Sequence, residues 1–131
     1  MYRNLPTTSE QRGKISIIIP CYNEGEGIFN FYEALCPIFN KVSELDFEVI
    51  CIDDGSHDDT LQKLILLAEK DPRIHIIELS RNFGKEAALT AGVDAASGDA
   101  VIPIDADLQD PPELILVMIK EWSKGAEVVL A

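Results

Sequence analysis

Ile15-Ser16-Ile17-Ile18-Ile19-Pro20 is a nearly unbroken β-branched run. A strand with one wet face alternates apolar and polar residues, whereas a strand covered on both faces reads as continuous. The stretch therefore predicts a central strand of a parallel sheet. Cys21-Tyr22-Asn23-Glu24-Gly25 is the loop that leaves its carboxyl end. Phe47–Ile52 repeats the pattern and ends at Asp53-Asp54-Gly55-Ser56. Ile74–Leu79 ends at Ser80-Arg81-Asn82-Phe83-Gly84-Lys85, and Ala100–Ile104 at Asp105-Ala106-Asp107-Leu108-Gln109. A fifth run, Ala126–Leu130, closes the sequence; its abrupt end is expected to mark a truncated domain.

Helical patterns separate the runs. Ile28, Phe31, Tyr32, Leu35, Phe39 and Val42 recur at helical spacing, with Pro37 expected to kink or end that helix. Leu61, Leu64, Ile65 and Ala68 form a second apolar stripe behind the N-cap candidates Ser56 and Asp58. An alanine-rich helix runs from about Glu86 to Ala96, with Gly98 as its C-terminal glycine. Pro111 and Pro112 suit the first turn of a helix with Leu114, Ile115, Met118 and Trp122 on its apolar face. Strand and helix alternate throughout, which predicts an α/β fold with right-handed crossovers.

Composition narrows the function. At 131 residues the chain is one domain or part of one, and its 47% hydrophobic content supports a core. A formal net charge of −12 argues against nucleic acid as a partner. It also means that a phosphorylated ligand needs a cation between itself and the protein. Cys21, Cys36 and Cys51 show no metal-ligand spacing and read as buried free thiols in a reducing compartment. Residues 1–13 are polar and read as a flexible leader without a signal-peptide segment, so a cytoplasmic domain is expected.

Parallel topology puts the four exit loops on one rim, where ligands of open α/β sheets bind. The rim carries Tyr22 and Glu24; Asp53 and Asp54; Arg81 and Lys85; Asp105, Asp107 and Gln109. Two carboxylates two residues apart, followed by an amide oxygen, suit Mg²⁺ or Mn²⁺. Alone, this D-x-D motif reads equally as a solvated acidic loop, and Asp53-Asp54-Gly55-Ser56 as turn chemistry. Arg81 and Lys85 suit phosphate oxygens.

Four motifs in order carry a resemblance: Ile17-Ile18-Ile19-Pro20-Cys21-Tyr22-Asn23-Glu24, Asp53-Asp54-Gly55-Ser56-His57-Asp58, Arg81-Asn82-Phe83-Gly84-Lys85, and Asp105-Ala106-Asp107-Leu108-Gln109-Asp110-Pro111-Pro112-Glu113. Over about Lys14 to Ala131 the sequence resembles the inverting glycosyltransferases of family 2. The Arg-Asn-Phe-Gly-Lys and Leu-Gln-x-Pro-Pro-Glu runs resemble its polyprenyl-phosphate branch, which includes dolichol-phosphate mannose synthases and bactoprenol glucosyltransferases. The resemblance implies a GT-A (Rossmann-like) parallel sheet in strand order 3-2-1-4, with helices on both faces. Residues 14–131 would be its nucleotide-sugar-binding part, truncated before the acceptor half.

By the same resemblance, Pro20, Tyr22 and Glu24 would line the base and ribose pocket, and Asp53 and Asp54 would read the base edge. Asp105 would lie by the ribose and diphosphate, in a supporting catalytic role. Asp107 and Gln109 would hold the metal, and Lys85 and Arg81 would face phosphates. The implied reaction moves a hexose from a UDP-glucose or GDP-mannose type donor to a polyprenyl phosphate on the cytosolic face of a membrane. No catalytic base is assignable, and the chain is expected to bind donor without transferring sugar. Self-association through an exposed sheet edge is a further expectation. The alternative is a receiver-like phosphoacceptor module, but receivers place their acid pair after the first strand.

Overall fold

The computed structural model describes residues 13–109 and 111–123. Its elements are β1 (Lys14–Cys21), α1 (Ile28–Lys41), β2 (Asp46–Asp53), α2 (Thr60–Lys70), β3 (Ile74–Glu78), α3 (Lys85–Ala95), β4 (Ala100–Pro103) and α4 (Glu113–Ser123). The four strands form one sheet in the order β3-β2-β1-β4. Every pairing is parallel: Ile17 faces Val49 and Ile102, and Ile52 faces Ile77. Residues 1–12 of the expected 1–13 leader and the expected fifth strand at 126–130 lie outside the described residues.

Strand periodicity sorts β1 onto two faces. Ile15, Ile17, Ile19 and Cys21 join the larger core, with Phe31 and Leu35 of α1, Leu64 and Leu67 of α2, and Ile115 and Met118 of α4. Ile18 joins a smaller core with Ile50, Ile52 and Ala88 of α3. Both faces are covered, three helices against one, which is why the run from Ile17 to Ile19 lacks polar breaks. Each isoleucine buried this way contributes about 1.5–3 kcal/mol. On the smaller side α3 comes close because Gly92 has no side chain. A Cβ there would lie 2.4 Å from Ile18 Cγ2 and 2.7 Å from Ile52 Cδ1.

Several local expectations are corrected. Pro37 does not end α1, which continues to Lys41. Burial of Leu35, Ile38 and Phe39 on either side of the proline outweighs the missing backbone bond. In α2 the buried stripe is Leu64 and Leu67, while Ile65 and Leu66 face outward at 43% and 55% exposure. Neither Ser56 nor Asp58 occupies the N-cap of α2; Asp59 does, without a side-chain bond. Gly98 does not close α3, whose cap is Ala96. It lies against β1, where a Cβ would meet Ser16 Oγ at 2.6 Å. Cys21 and Cys51 are buried free thiols, while Cys36 is only half-buried.

Candidate functional site

The carboxyl ends of the strands open into a cavity of about 470 Å³. Its wall includes Pro20, Tyr22 and Glu24 after β1, Asp54 after β2, Lys85 at the start of α3, and Asp105, Asp107 and Gln109 after β4. Parallel strands make this convergence unavoidable: each returns to the same edge before its loop begins. Asp53 and Arg81 are absent from this wall. Asp53 is 3% exposed and accepts a hydrogen bond from Ser56 N on Oδ1 (3.3 Å). The Arg81 guanidinium lies over the Phe83 ring, 4.3 Å from its centroid.

Charge is concentrated here. The wall carries Glu24, Asp54, Asp105 and Asp107 against Lys85. Lys85 Nζ pairs with Asp105 Oδ1 at 2.7 Å. Burial pushes the Glu24 carboxyl upward, and the Asp107, Asp58 and Asp105 carboxylates push it further. Gln109 N donates to Asp107 Oδ1 (3.1 Å), and between them Leu108 adopts the left-handed conformation (φ 64). Among the described residues, no three carboxylate, imidazole or thiol groups converge to hold an ion unaided. Cys21 also reaches the wall, but its contact with Cys51 and its burial raise its pKa well above the ordinary thiol value. It is thus a neutral packing group rather than a nucleophile.

The loops are tied to one another. Asp54 Oδ1 accepts from Phe83 N (2.8 Å), and Oδ2 from Gly84 N (3.1 Å) and Asn82 Nδ2 (3.1 Å). On the other flank Glu24 N donates to Thr60 Oγ1 (2.9 Å) and Gly25 N to Asp58 Oδ2 (3.0 Å). The Tyr22 ring stands edge-on to His57, with centroids 6.5 Å apart. Asn82, Gly84 and Ala106 also line the cavity. Sequence reasoning gave these three no role of their own, although all lie inside the quoted motifs.

The glycosyl transferase family 2 model matches residues 16–131. The chain belongs to that family. An uncharacterised glycosyltransferase of Synechocystis is 48% identical over 118 residues, covering 90% of this chain and 37% of the relative. The bactoprenol glucosyl transferase of Shigella phage SfV is also 48% identical over 118 residues, covering 90% of this chain and 38% of the relative. Among solved structures, a mannosyltransferase of Pyrobaculum calidifontis in complex with GDP-Man and Mn²⁺ superposes with a TM-score of 0.68 at 25% identity. That likeness covers 89% of this chain and 34% of the mannosyltransferase. The fold is GT-A, as the four family 2 motifs imply, and the receiver-like alternative falls. The chain spans little more than a third of the length of these relatives.

Proposed function

We propose that this family 2 domain binds a nucleotide-sugar donor with Mg²⁺ or Mn²⁺, within an inverting enzyme that transfers a hexose to a polyprenyl phosphate. The observation that carries the reading is the convergence of Tyr22, Glu24, Lys85, Asp105, Asp107 and Gln109 on one cavity. An acidic wall alone repels a diphosphate. With a cation on Asp107 and Gln109, the same wall becomes a diphosphate site flanked by Lys85.

The residues fit such an ion. Asp107 and Gln109 offer only oxygen donors, the set that Mg²⁺ and Mn²⁺ prefer. Ions of this kind take one or two carboxylates from protein and the rest from substrate phosphates and water, so a third side chain is not required. When bound, the metal supplies charge stabilisation for the departing nucleoside diphosphate.

The chain's own residues do the rest. Pro20 and Tyr22 border the base and ribose. Asp105 holds Lys85 by its 2.7 Å pair and so aims the ammonium along the diphosphate side of the cavity. A polyprenyl phosphate is already an anion at neutral pH and needs no strong base to attack the anomeric carbon. Support for that acceptor comes from the bactoprenol glucosyl transferase at 48% identity. Support for a nucleotide-sugar donor comes from the mannosyltransferase complex with GDP-Man. Placement at the cytosolic face of a membrane belongs to the same proposal. Among the described residues no helix is long and apolar enough to cross a membrane.

Calorimetric titration with UDP and GDP, with and without MnCl₂, tests the reading. Asp107→Asn is expected to weaken Mn²⁺-dependent binding at least about tenfold while leaving metal-free binding nearly unchanged. Equal losses in both would make Asp107 structural. Binding indifferent to Mn²⁺ in the unsubstituted protein would overturn the metal-dependent reading.

A further inference from the structure

The segment from Asp54 to Thr60 makes its polar contacts sideways, to the loops on either flank. On the β3 side, the Asp54 carboxylate is 3% exposed and accepts from Phe83 N, Gly84 N and Asn82 Nδ2. The Asp54 carbonyl accepts a further bond from Asn82 Nδ2 at 3.1 Å. Gly55, at φ +72, presses its backbone against that loop: a Cβ would lie 2.3 Å from both Arg81 C and Asn82 N. On the β1 side, Asn23 N donates to Ser56 Oγ (2.9 Å) and His57 N to Asn23 Oδ1 (2.8 Å). Thr60, 0% exposed, accepts from Glu24 N and donates to Asp58, whose other oxygen takes Gly25 N. Lys63 Nζ closes the set on Gly25 O at 2.6 Å.

We propose that this segment is a two-sided clamp in which Asp54 and Thr60 are positioning residues. Asp54 holds the loop that delivers Lys85, and Thr60 holds the loop that delivers Glu24. The physical basis is the cost of an unmatched buried group. Thr60→Val keeps the shape but leaves Glu24 N without its acceptor and removes the hydroxyl donor to Asp58, which keeps only the Thr60 and Gly25 amides. Asp54→Asn replaces one acceptor oxygen by an amide donor facing other donors. Such orphaned groups cost more than the bond itself contributes, so the loop moves instead. That Lys85 and Glu24 serve a nucleoside diphosphate rests on the function proposed above; the clamp does not.

The test is residue-resolved amide hydrogen exchange on the ligand-free protein, followed by titration with UDP and GDP in MnCl₂. Thr60→Val should speed exchange at Glu24 and Gly25 about tenfold or more and leave Phe83 and Gly84 unchanged. Asp54→Asn should do the reverse. Thr60→Ser, which keeps the hydroxyl, should restore the Glu24 rate, and nucleotide affinity should fall in both disruptive variants and return with Thr60→Ser. If Thr60→Val or Asp54→Asn does not fold, Ser56→Ala and Asn82→Ala give milder versions, read at the Asn23 and the Phe83 and Gly84 amides. Unchanged exchange at both loops, or equal loosening of both by either variant, would overturn the clamp. So would Asp54→Asn with unchanged exchange and a loss confined to one nucleotide, which would make Asp54 a base-reading group. If the unsubstituted protein binds neither nucleotide, the proposed function falls while the exchange pattern still decides the clamp.

Discussion

Glu48 is a buried carboxylate whose removal should change how the protein responds to acid. It lies on β2 at 7% exposure, remote in sequence from both partners. Its Oε2 accepts from Ser16 Oγ (2.5 Å) on β1 and from Ser97 N (2.6 Å) before β4. Lys14 Nζ stands 3.5 Å from Oε1. Burial by itself pushes this carboxyl upward, but the bonds from Ser16 and Ser97 and the Lys14 charge outweigh it and bring it from 4.5 to about 2. A folded value below the unfolded one stabilises the fold above the unfolded value and is lost as pH falls through the folded one. The gap is about 2.5 pH units at about 1.4 kcal/mol each, hence about 3.5 kcal/mol at pH 7. The same relation leaves about 1.4 kcal/mol at pH 3 and under about 0.5 kcal/mol at pH 2. Glu48→Gln should therefore cost about 2–4 kcal/mol at neutral pH, because its amide nitrogen or oxygen must face a mismatched partner. That deficit should shrink steadily below about pH 4.5. Urea unfolding of both proteins from pH 7 down to about pH 2.5, followed by circular dichroism, measures it. Other acid-sensitive groups are common to both and cancel. A deficit that stays constant with pH would refute the reasoning, as would one below about 0.5 kcal/mol at pH 7.

Gly55→Ala should destabilise the protein by at least about 2 kcal/mol, since φ +72 and a 2.3 Å approach to the Arg81–Asn82 backbone both oppose a Cβ; thermal unfolding measures this, and a change under about 0.5 kcal/mol would contradict it. Tyr32 donates to Asp71 Oδ2 at 2.6 Å, and Arg73, against burial and together with that phenol, holds Asp71 at about 2, below its ordinary 3.8. Tyr32→Phe should cost about 1–2 kcal/mol at pH 7 and progressively less as pH falls from 3.8 toward 2, the window in which Asp71's contribution disappears. A Tyr32→Phe deficit that does not shrink over that window would contradict the assignment.

The convergence of four loops on one cavity was legible because parallel topology forces it, and the motifs at 20–24, 53–58, 81–85 and 105–109 each contribute to its wall. Which side chains reach it was not legible. Asp53 and Asp54 are adjacent, yet Asp53 bonds its own turn while Asp54 reaches the cavity and the 82–84 loop. Arg81 and Lys85 are both cations after β3, but Arg81 stacks on Phe83 while Lys85 meets Asp105. Thr60 gave no signal, because its bond to Glu24 N spans 36 positions.

Residue pattern alone dictates the parallel α/β sheet and the edge where the four loops gather. Unbroken apolar runs such as 15–19 can be covered only from two sides, and alternation with helices fixes the strand direction. Tertiary packing decided what periodicity leaves degenerate. The outward turn of Ile65 and Leu66, the passage of α1 through Pro37, and the seating of Gly98 against Ser16 all depend on which surface an element meets. Local propensities differ by about 1 kcal/mol or less for ordinary residues, whereas burying one isoleucine is worth about 1.5–3 kcal/mol. Contacts between distant residues therefore override local preferences, and their partners are absent from any short window of sequence.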